Sequence, residues 1–329
     1  MKPAPMPENA CMPINCMQRA ANIERTWKQE KDSTESKRTF NFYPTGAEVP
    51  KRSAIVTNIT KEYFRLLEEL KFEEAEKLRQ KQLPPKLYKF VSLTDDEQLN
   101  TAKLKTLENQ EVWFSSVEKL NDPFEFNGLY IDEKKFYDYF GSNSNVKLET
   151  LRKSIKLDKI YSILSLTANG SNCLPMWAYY TNNYFGYCVE YEIFDTEKCC
   201  AKNVMYESKR YPVFNIIINL MHEMHKFEIT NKYSKEFHLY ANAIIQQAFL
   251  KHNSWRHERE FRIVLPRGDK KSGDFSFSLS SLGLKTSRII AGFNCEEKNL
   301  QKLKDISKKI GCGEVKRIQL CEDKYEFFL

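Results

Sequence analysis

The stretch that most constrains the fold of this chain lies at residues 254–266 and reads SWRHEREFRIVLP. Its apolar end, closed by a proline, predicts a buried β-strand. Because side chains alternate along a strand, Glu258, Glu260 and Arg262 are expected on one face, about 6.5–7 Å apart at successive positions. Such a row is either a solvated strand edge that discourages aggregation or the polar floor of a site. In the second case Glu260 is nearest to Arg262, whose charge would hold a carboxylate ionised.

Composition narrows the class of protein. With 329 residues, 41% of them hydrophobic, the chain is long enough for one large core or for a core with a smaller appendage. Its 22 Phe, 17 Tyr and 4 Trp favour a sheet over a helical bundle. The net charge of +7 suits an anionic ligand, but it is too mild to mark a dedicated nucleic-acid binder.

Cysteine usage and hydropathy predict a cytoplasmic protein. The nine cysteines form no regular framework, which indicates a reducing compartment, and they lack the paired spacing of a zinc site. No metal is therefore expected. The sequence shows neither a signal peptide nor an apolar run long enough to cross a bilayer, so no membrane association is predicted.

Three regions are predicted along the chain. Residues 1–57 are polar, contain prolines and predict a flexible arm. Residues 58–85 predict an amphipathic helix from Thr60 to Gln82 followed by a Pro-Pro linker, and this helix is a candidate for self-association or for binding a partner. Residues 86–329 predict one domain.

The predicted domain mixes strands and helices without regular βαβ alternation, and it lacks the glycine-rich phosphate-binding motifs. The fold class predicted is α+β, with a mixed, mainly antiparallel sheet core, flanking helices and a helical or disordered N-terminal extension.

Four motifs occur in order. They are LYKF at 87–90, WFSS at 113–116 with NDPFE at 121–125, MWAYY at 176–180 with Gly186, and WxxExEFR at 255–262. Together they resemble a bacterial family catalogued as a domain of unknown function, over about residues 86–329. Tyr179 departs from the pattern, because many relatives have a histidine there.

The order of these motifs is also similar to that of ADP-ribosyltransferases, which place a clamp residue on an early strand, an aromatic and hydroxyl pair in the middle and a glutamate on a late strand. This similarity of layout implies NAD as a substrate, with a nucleic acid or a protein as acceptor. Cleavage of the nicotinamide–ribose bond develops oxocarbenium character, which a carboxylate stabilises. Glu260 is the first candidate for that carboxylate, Glu258 the second, and Arg262 supports them.

The remaining candidate residues are assigned to substrate binding. Tyr88, Trp177 and Tyr180 are expected to stack on nicotinamide or adenine, and Lys89 to hold a diphosphate charge. The other candidates are the hydroxyls of Ser115 and Ser165, the turn residues Asn121, Asp122 and Glu125, and Trp255.

Each candidate also has a structural interpretation. The tryptophans are more often core anchors than ligand stackers, Asp122 is suited to capping a turn, and Glu125 is suited to an ion pair with Arg262. Two other functions remain open. One is a module that binds a nucleotide or nucleic acid without catalysis. The other is a metal-dependent nuclease, which would need Asp122, Glu125, Glu258 and Glu260 to come together.

Overall fold

A computed structural model of the chain describes residues 81–142, 144–267, 273–323 and 327–328, with positions 74, 77 and 78. The predicted arm over 1–57 lies outside these residues, as does most of the predicted helix from Thr60 to Gln82. The chain divides into two compact units, the smaller containing 122–158 and 207–250 and the larger containing 77–121, 159–206 and 251–329. The single domain over 86–329 stays a prediction.

The larger unit is built on a nine-stranded sheet. Seven of its strands follow the order β11-β2-β4-β1-β5-β12-β13, and β10 pairs with both β4 and β6. The strands are β1 (Lys86–Val91), β2 (Glu111–Ser116), β4 (Tyr161–Thr167), β5 (Tyr187–Ile193), β6 (Lys202–Asn203), β10 (Glu260–Pro266), β11 (Phe275–Ser278), β12 (Leu284–Ala291) and β13 (Lys316–Arg317). Among the described strands of this sheet, only β12 and β13 pair in parallel. The predicted mixed, mainly antiparallel sheet is therefore confirmed.

Helices cover this sheet on both faces. Helices α1 (Glu97–Glu108) and α7 (Glu297–Ile310) pack on each other and on one face, where Leu87, Val189 and Ile289 belong to the main core. The short helix α4 (Leu174–Tyr180) contributes Met176 and Trp177 to a second core cluster with Phe90, Cys188 and Ile290. Because adjacent strand residues point to opposite faces, this second cluster lies on the other side of the sheet.

Local signals place the helix ends of the larger unit. The Asp96 side chain accepts the Leu99 N–H at 2.9 Å, which caps α1. Helix α7 ends at Gly311, whose φ of +71° is the left-handed conformation that glycine adopts at low cost. Aspartate before a helix and glycine after one are the residue types expected at these positions. The pair β14 (Gln319–Leu320) and β15 (Phe327–Phe328) closes the chain.

The smaller unit is mainly helical. It contains β3 (Leu129–Tyr130) paired in parallel with β8 (Tyr211–Pro212), and the helices α2 (Glu133–Phe140), α3 (Leu148–Ser154), α5 (Phe214–Thr230) and α6 (Lys235–Ile245). The last two of these helices follow one another along the chain. Their separation follows from Asn231, which takes the left-handed conformation, and from Ser234, whose hydroxyl caps α6 by accepting the Phe237 N–H.

The helical segment of the smaller unit ends before Lys251. A 3₁₀ turn at Gln246–Phe249 follows α6, and Lys251 then lies in the short strand β9 (Leu250–His252). The strand β7 (Met205–Glu207) and β9 both lie where the chain passes between the two units.

Candidate functional site

The stretch at 254–266 is only partly a strand. Residues Asn253–Glu258 form a 3₁₀ helix, Arg259 has the left-handed φ of 44°, and β10 begins at Glu260. The expectation that alternation along one strand aligns Glu258 with Glu260 and Arg262 is therefore wrong. The backbone reversal at Arg259 nevertheless brings the Glu258 carboxylate to the same cation as Glu260.

That cation is Lys251, a buried lysine on β9. Its Nζ lies 2.6 Å from Glu258 Oε2 and 3.1 Å from Glu260 Oε2, so both carboxylates share one ammonium group. We refer to Lys251, Glu258, Glu260 and Arg262 as the Lys251 cluster; all four side chains are buried. The sequence analysis missed Lys251. The one signal for it was a lysine directly after the apolar run Ala248, Phe249 and Leu250.

Glu260 is held mainly by Arg262. The guanidinium donates from Nε to Glu260 Oε1 at 2.7 Å and from Nη2 to Oε2 at 2.9 Å. Burial raises the pKa of Glu260, but the charges of Arg262 and Lys251 outweigh it and hold that pKa well below its usual range. The prediction that Glu260 is the carboxylate nearest to Arg262 agrees with this geometry.

Glu258 has a different second partner. Its Oε1 accepts a short hydrogen bond from the Tyr180 hydroxyl, at the end of α4. Burial and then the Glu258 charge raise the pKa of Tyr180, while the Asn121 side chain lowers it. The hydroxyl therefore stays protonated and donates. Two predicted residues, Tyr180 and Asn121, thus lie at the Lys251 cluster.

Two further aromatic residues border the cluster. Lys251 Nζ lies 4.8 Å from the centre of the Trp255 ring, which is a cation–π contact. The Tyr206 hydroxyl accepts the Glu260 backbone N–H at 2.8 Å, and burial raises the pKa of Tyr206. Trp255 was predicted as a site residue, whereas Tyr206 was missed because nothing in the sequence links β7 to β10.

Lys89 of β1 contacts β4, the strand that pairs with β10. Its Nζ donates to the Ser165 carbonyl at 3.2 Å, and Ser165 lies opposite Arg262 in the pairing of β4 with β10. Burial lowers the pKa of Lys89 to about 8, and the Glu260 charge partly opposes this. Lys89 and Ser165 are thus near the cluster, but Lys89 is directed at protein groups rather than outward.

Tyr88 belongs to a second polar cluster, centred on Glu190 of β5. The Glu190 carboxylate accepts hydrogen bonds from Lys86 at 2.7 Å, from Ser287 at 2.8 Å and from the Tyr88 hydroxyl at 3.0 Å. Burial raises the pKa of Glu190, but these donors outweigh it and lower the pKa. Burial and the bond to Glu190 raise the pKa of Tyr88 to about 12.

Trp177 packs in the core beside the sheet, and Ser115 lies within a strand of the sheet. Trp177 is fully buried, its ring lies edge-on to Phe90 with centroids 5.1 Å apart, and its Nε1 donates to the Ser171 carbonyl at 2.6 Å. In this structure its ring is a core anchor and not a stacking surface. Ser115 lies opposite Ile163 where β2 pairs with β4.

Asp122 and Glu125 lie in the smaller unit, in the turn that their residue types predicted. Both side chains are buried. Asp122 Oδ1 accepts the Phe124 N–H at 2.9 Å, so Asp122 caps the turn. Its Oδ2 is buried and finds no hydrogen-bond partner among the residues that the structure describes.

Neither a metal site nor a membrane-spanning helix occurs among the described residues. Within residues 81–142, 144–267, 273–323 and 327–328, no three His, Cys, Asp or Glu side chains gather as a metal site requires. The metal-dependent alternative thus lacks a ligand set in this part of the chain. None of the described helices is both long enough and apolar enough to span a bilayer.

Comparisons with known proteins give one match. The chain has no match among curated proteins or solved structures. The model of a family described as "Protein of unknown function (DUF2971)" matches residues 176–263, a little over a quarter of the chain. This range begins in α4, ends in β10 and includes Tyr180, Lys251, Glu258 and Glu260. The chain is therefore similar, over the segment that holds the Lys251 cluster, to a family of unknown function.

Proposed function

We propose that the chain cleaves the nicotinamide–ribose bond of NAD, and that it transfers ADP-ribose to an acceptor or to water. The observation that carries this proposal is the pair Glu258 and Glu260 sharing the Lys251 ammonium. A buried cation pairs with both glutamates, and a carboxylate beside the ribose stabilises the positive charge that develops on the ribose ring. The similarity of motif order to ADP-ribosyltransferases supports the same reaction.

The two carboxylates suit different roles. Both Glu260 oxygens are bound by buried cations, and replacing such charged hydrogen bonds is costly. Glu258 Oε1 is bound by the neutral hydroxyl of Tyr180, which is only partly buried. A ribose hydroxyl is able to donate the same kind of hydrogen bond to Glu258 Oε1 in place of the Tyr180 hydroxyl. We therefore assign the ribose-facing role to Glu258, and to Glu260 the task of fixing Lys251 and Arg262.

The reaction balances without a metal or a redox partner. The C1′–N bond breaks and its electron pair leaves with nicotinamide, which becomes neutral. The acceptor's nucleophilic atom, or water, bonds to C1′ and releases its proton to the solvent. Glu258 stabilises the ring charge between these events, and Lys251 holds the Glu258 carboxylate in place through its hydrogen bond to Oε2.

Nicotinamide release from NAD tests this proposal. Wild-type protein is incubated with NAD, with and without cell extract, and compared with Glu258→Gln. We expect the variant to release nicotinamide about 100- to 1000-fold more slowly, the usual effect of removing a group that stabilises transition-state charge. Separation of the products as free or acceptor-bound ADP-ribose then distinguishes hydrolysis from transfer.

The matched control is Glu314→Gln, because Glu314 is an exposed glutamate of the same unit. It should release nicotinamide at the wild-type rate. Equal rates in the wild type and in Glu258→Gln, or no release under either condition, would contradict the proposal.

A further inference from the structure

We propose that a face beside the Lys251 cluster binds single-stranded nucleic acid. The face consists of Tyr179, Trp255, Arg256, His257 and Arg259, and we call it the aromatic–cation face. The binding itself does not depend on NAD chemistry. Its further role, that the bound nucleic acid is the acceptor of ADP-ribose, rests on the proposed function.

Three rings form a row on this face. The centroids of Tyr179 and His257 are 6.2 Å apart, and those of His257 and Trp255 are 6.3 Å apart. Tyr179 is 66% exposed, although Met176 and Trp177 of the same helix are buried in the core. Tyr179 is exposed and the rings of Trp255 and His257 are partly exposed, so the row offers a stacking surface to unpaired bases of any sequence.

The exposed charged residues next to Trp255 and His257 along the chain are arginines. Arg256 and Arg259 are exposed, whereas Glu258 between them is turned inward to Lys251. Residues 168–186, which carry Tyr179, contain no acidic or basic residue. The two segments therefore present aromatic rings, amides and cations to the solvent, and this combination attracts a phosphate backbone.

Base accessibility selects a single strand over a duplex. In a duplex the bases are stacked inside the helix, so their flat faces are not free to meet protein rings. The arginines would serve either ligand, but the ring row gains contacts only from unpaired bases. The row therefore fits the single-stranded form.

The position of the face connects it to the candidate site. Tyr179 precedes Tyr180, and His257 precedes Glu258, so each ring of this pair is one residue from a member of the short Tyr180–Glu258 hydrogen bond. In these two segments Tyr180 and Glu258 are hydrogen-bonded to each other, whereas Tyr179 is exposed and His257 is partly exposed. A base stacked on Tyr179 and His257 would lie next to the carboxylate assigned to the ribose.

Fluorescence anisotropy tests the binding directly, in the absence of NAD. Labelled oligothymidine and oligouridine are titrated with the full chain, and the measurement is repeated with Tyr179→Ala. Because one base–ring stack is lost, we expect Tyr179→Ala to weaken binding about 5- to 150-fold. Phe194→Ala is the control, since Phe194 is an exposed ring on the loop after β5, and it should bind like the wild type.

A salt series tests the cations. The double variant Arg256→Gln, Arg259→Gln removes two phosphate-binding charges, so the slope of log K against log salt should fall by about 1.4. Lys304→Gln with Lys308→Gln on α7 removes two exposed charges elsewhere and should leave the slope unchanged.

Three outcomes would overturn the inference. The first is no binding at low salt, which would leave a protein as the acceptor. The second is equal weakening by Tyr179→Ala and Phe194→Ala. The third is equal weakening by the two double charge variants, which would mean that only overall charge attracts the ligand. Binding without nicotinamide release would keep the nucleic-acid face and reject the NAD chemistry.

Discussion

Lys89 has an ammonium group in a place where burial disfavours its charge. Burial lowers the pKa of Lys89 in the folded chain to about 8, from the ordinary lysine value of 10.5. Between these two pH values the unfolded chain binds more protons than the folded chain, so the free energy of unfolding should rise as pH increases from about 8 to about 10.5. Below this window both states are protonated, and the cost of burying the charge is present in full.

Lys89→Met should therefore unfold at a higher urea concentration than the wild type at pH 7 and should lose the rise between pH 8 and 10.5. Urea unfolding across this range checks it, with Lys105→Met as the control for an exposed lysine. A rise that persists in Lys89→Met would assign the titration to another group.

At the scale of single residues, sequence reasoning identified Glu258, Glu260, Arg262 and Tyr180, because charge and aromatic character are visible in the sequence. It missed Lys251, Tyr206 and Glu190. Tyr206 and Glu190 reach partners 54 and 102 residues away along the chain, and no local spacing encodes such a pairing. Lys251 is only seven residues from Glu258, but the 3₁₀ helix that brings the two together was not predicted. Trp177 shows the reverse limit, because a large ring suits a core and a ligand equally well until its burial is known.

At the scale of elements, Gly186 is the position where the turn before β5 has no room for a side chain. A Cβ built there would lie 2.0 Å from the Val91 carbonyl oxygen, so the backbone has to move. We expect Gly186→Ala to lower the free energy of unfolding by more than about 2 kcal/mol, as overpacking against backbone does.

The comparison for this variant is Gly311→Ala. A Cβ at Gly311 meets nothing within 4 Å, and only its φ of +71° opposes the substitution. That strain costs about 1 kcal/mol. Urea unfolding of both variants should rank Gly186→Ala as the more damaging one. The opposite ranking would show that the β1–β5 end tolerates a shift.

Elements with strong local signals were predictable. Asp96 caps α1, Gly311 ends α7, and β4 is an apolar run. Each of these signals is visible in the local sequence. The start of β10 was not predictable, because the left-handed turn at Arg259 uses a residue type that rarely adopts φ > 0. The result is that Glu258 reaches the Lys251 cluster from a 3₁₀ helix and not from the strand.

At the scale of the whole molecule, the α+β class followed from the mixture of strand and helix patterns, and the mainly antiparallel sheet agrees with it. The strand order did not follow, because β4 pairs with β1, β2 and β10, and its paired residues are up to 105 positions apart along the chain, as Tyr161 and Pro266 are. Pairings of such separation depend on the packing of the complete core.

The central claim is that Glu258 carries the chemistry while Glu260 holds the Lys251 cluster together. Nicotinamide release per folded molecule, measured for Glu258→Gln and Glu260→Gln beside urea unfolding of the same samples, tests it most directly. Removing the charge of Glu260 leaves buried Arg262 without its closest counter-charge, so Glu260→Gln should lose about 3 kcal/mol of stability.

Glu258→Gln should keep most of its stability and lose release, whereas Glu260→Gln should retain more release per folded molecule. The contrary result is release that falls in both variants only in proportion to the unfolded fraction. That result would make the Lys251 cluster a structural ion network and would place any chemistry of the chain elsewhere.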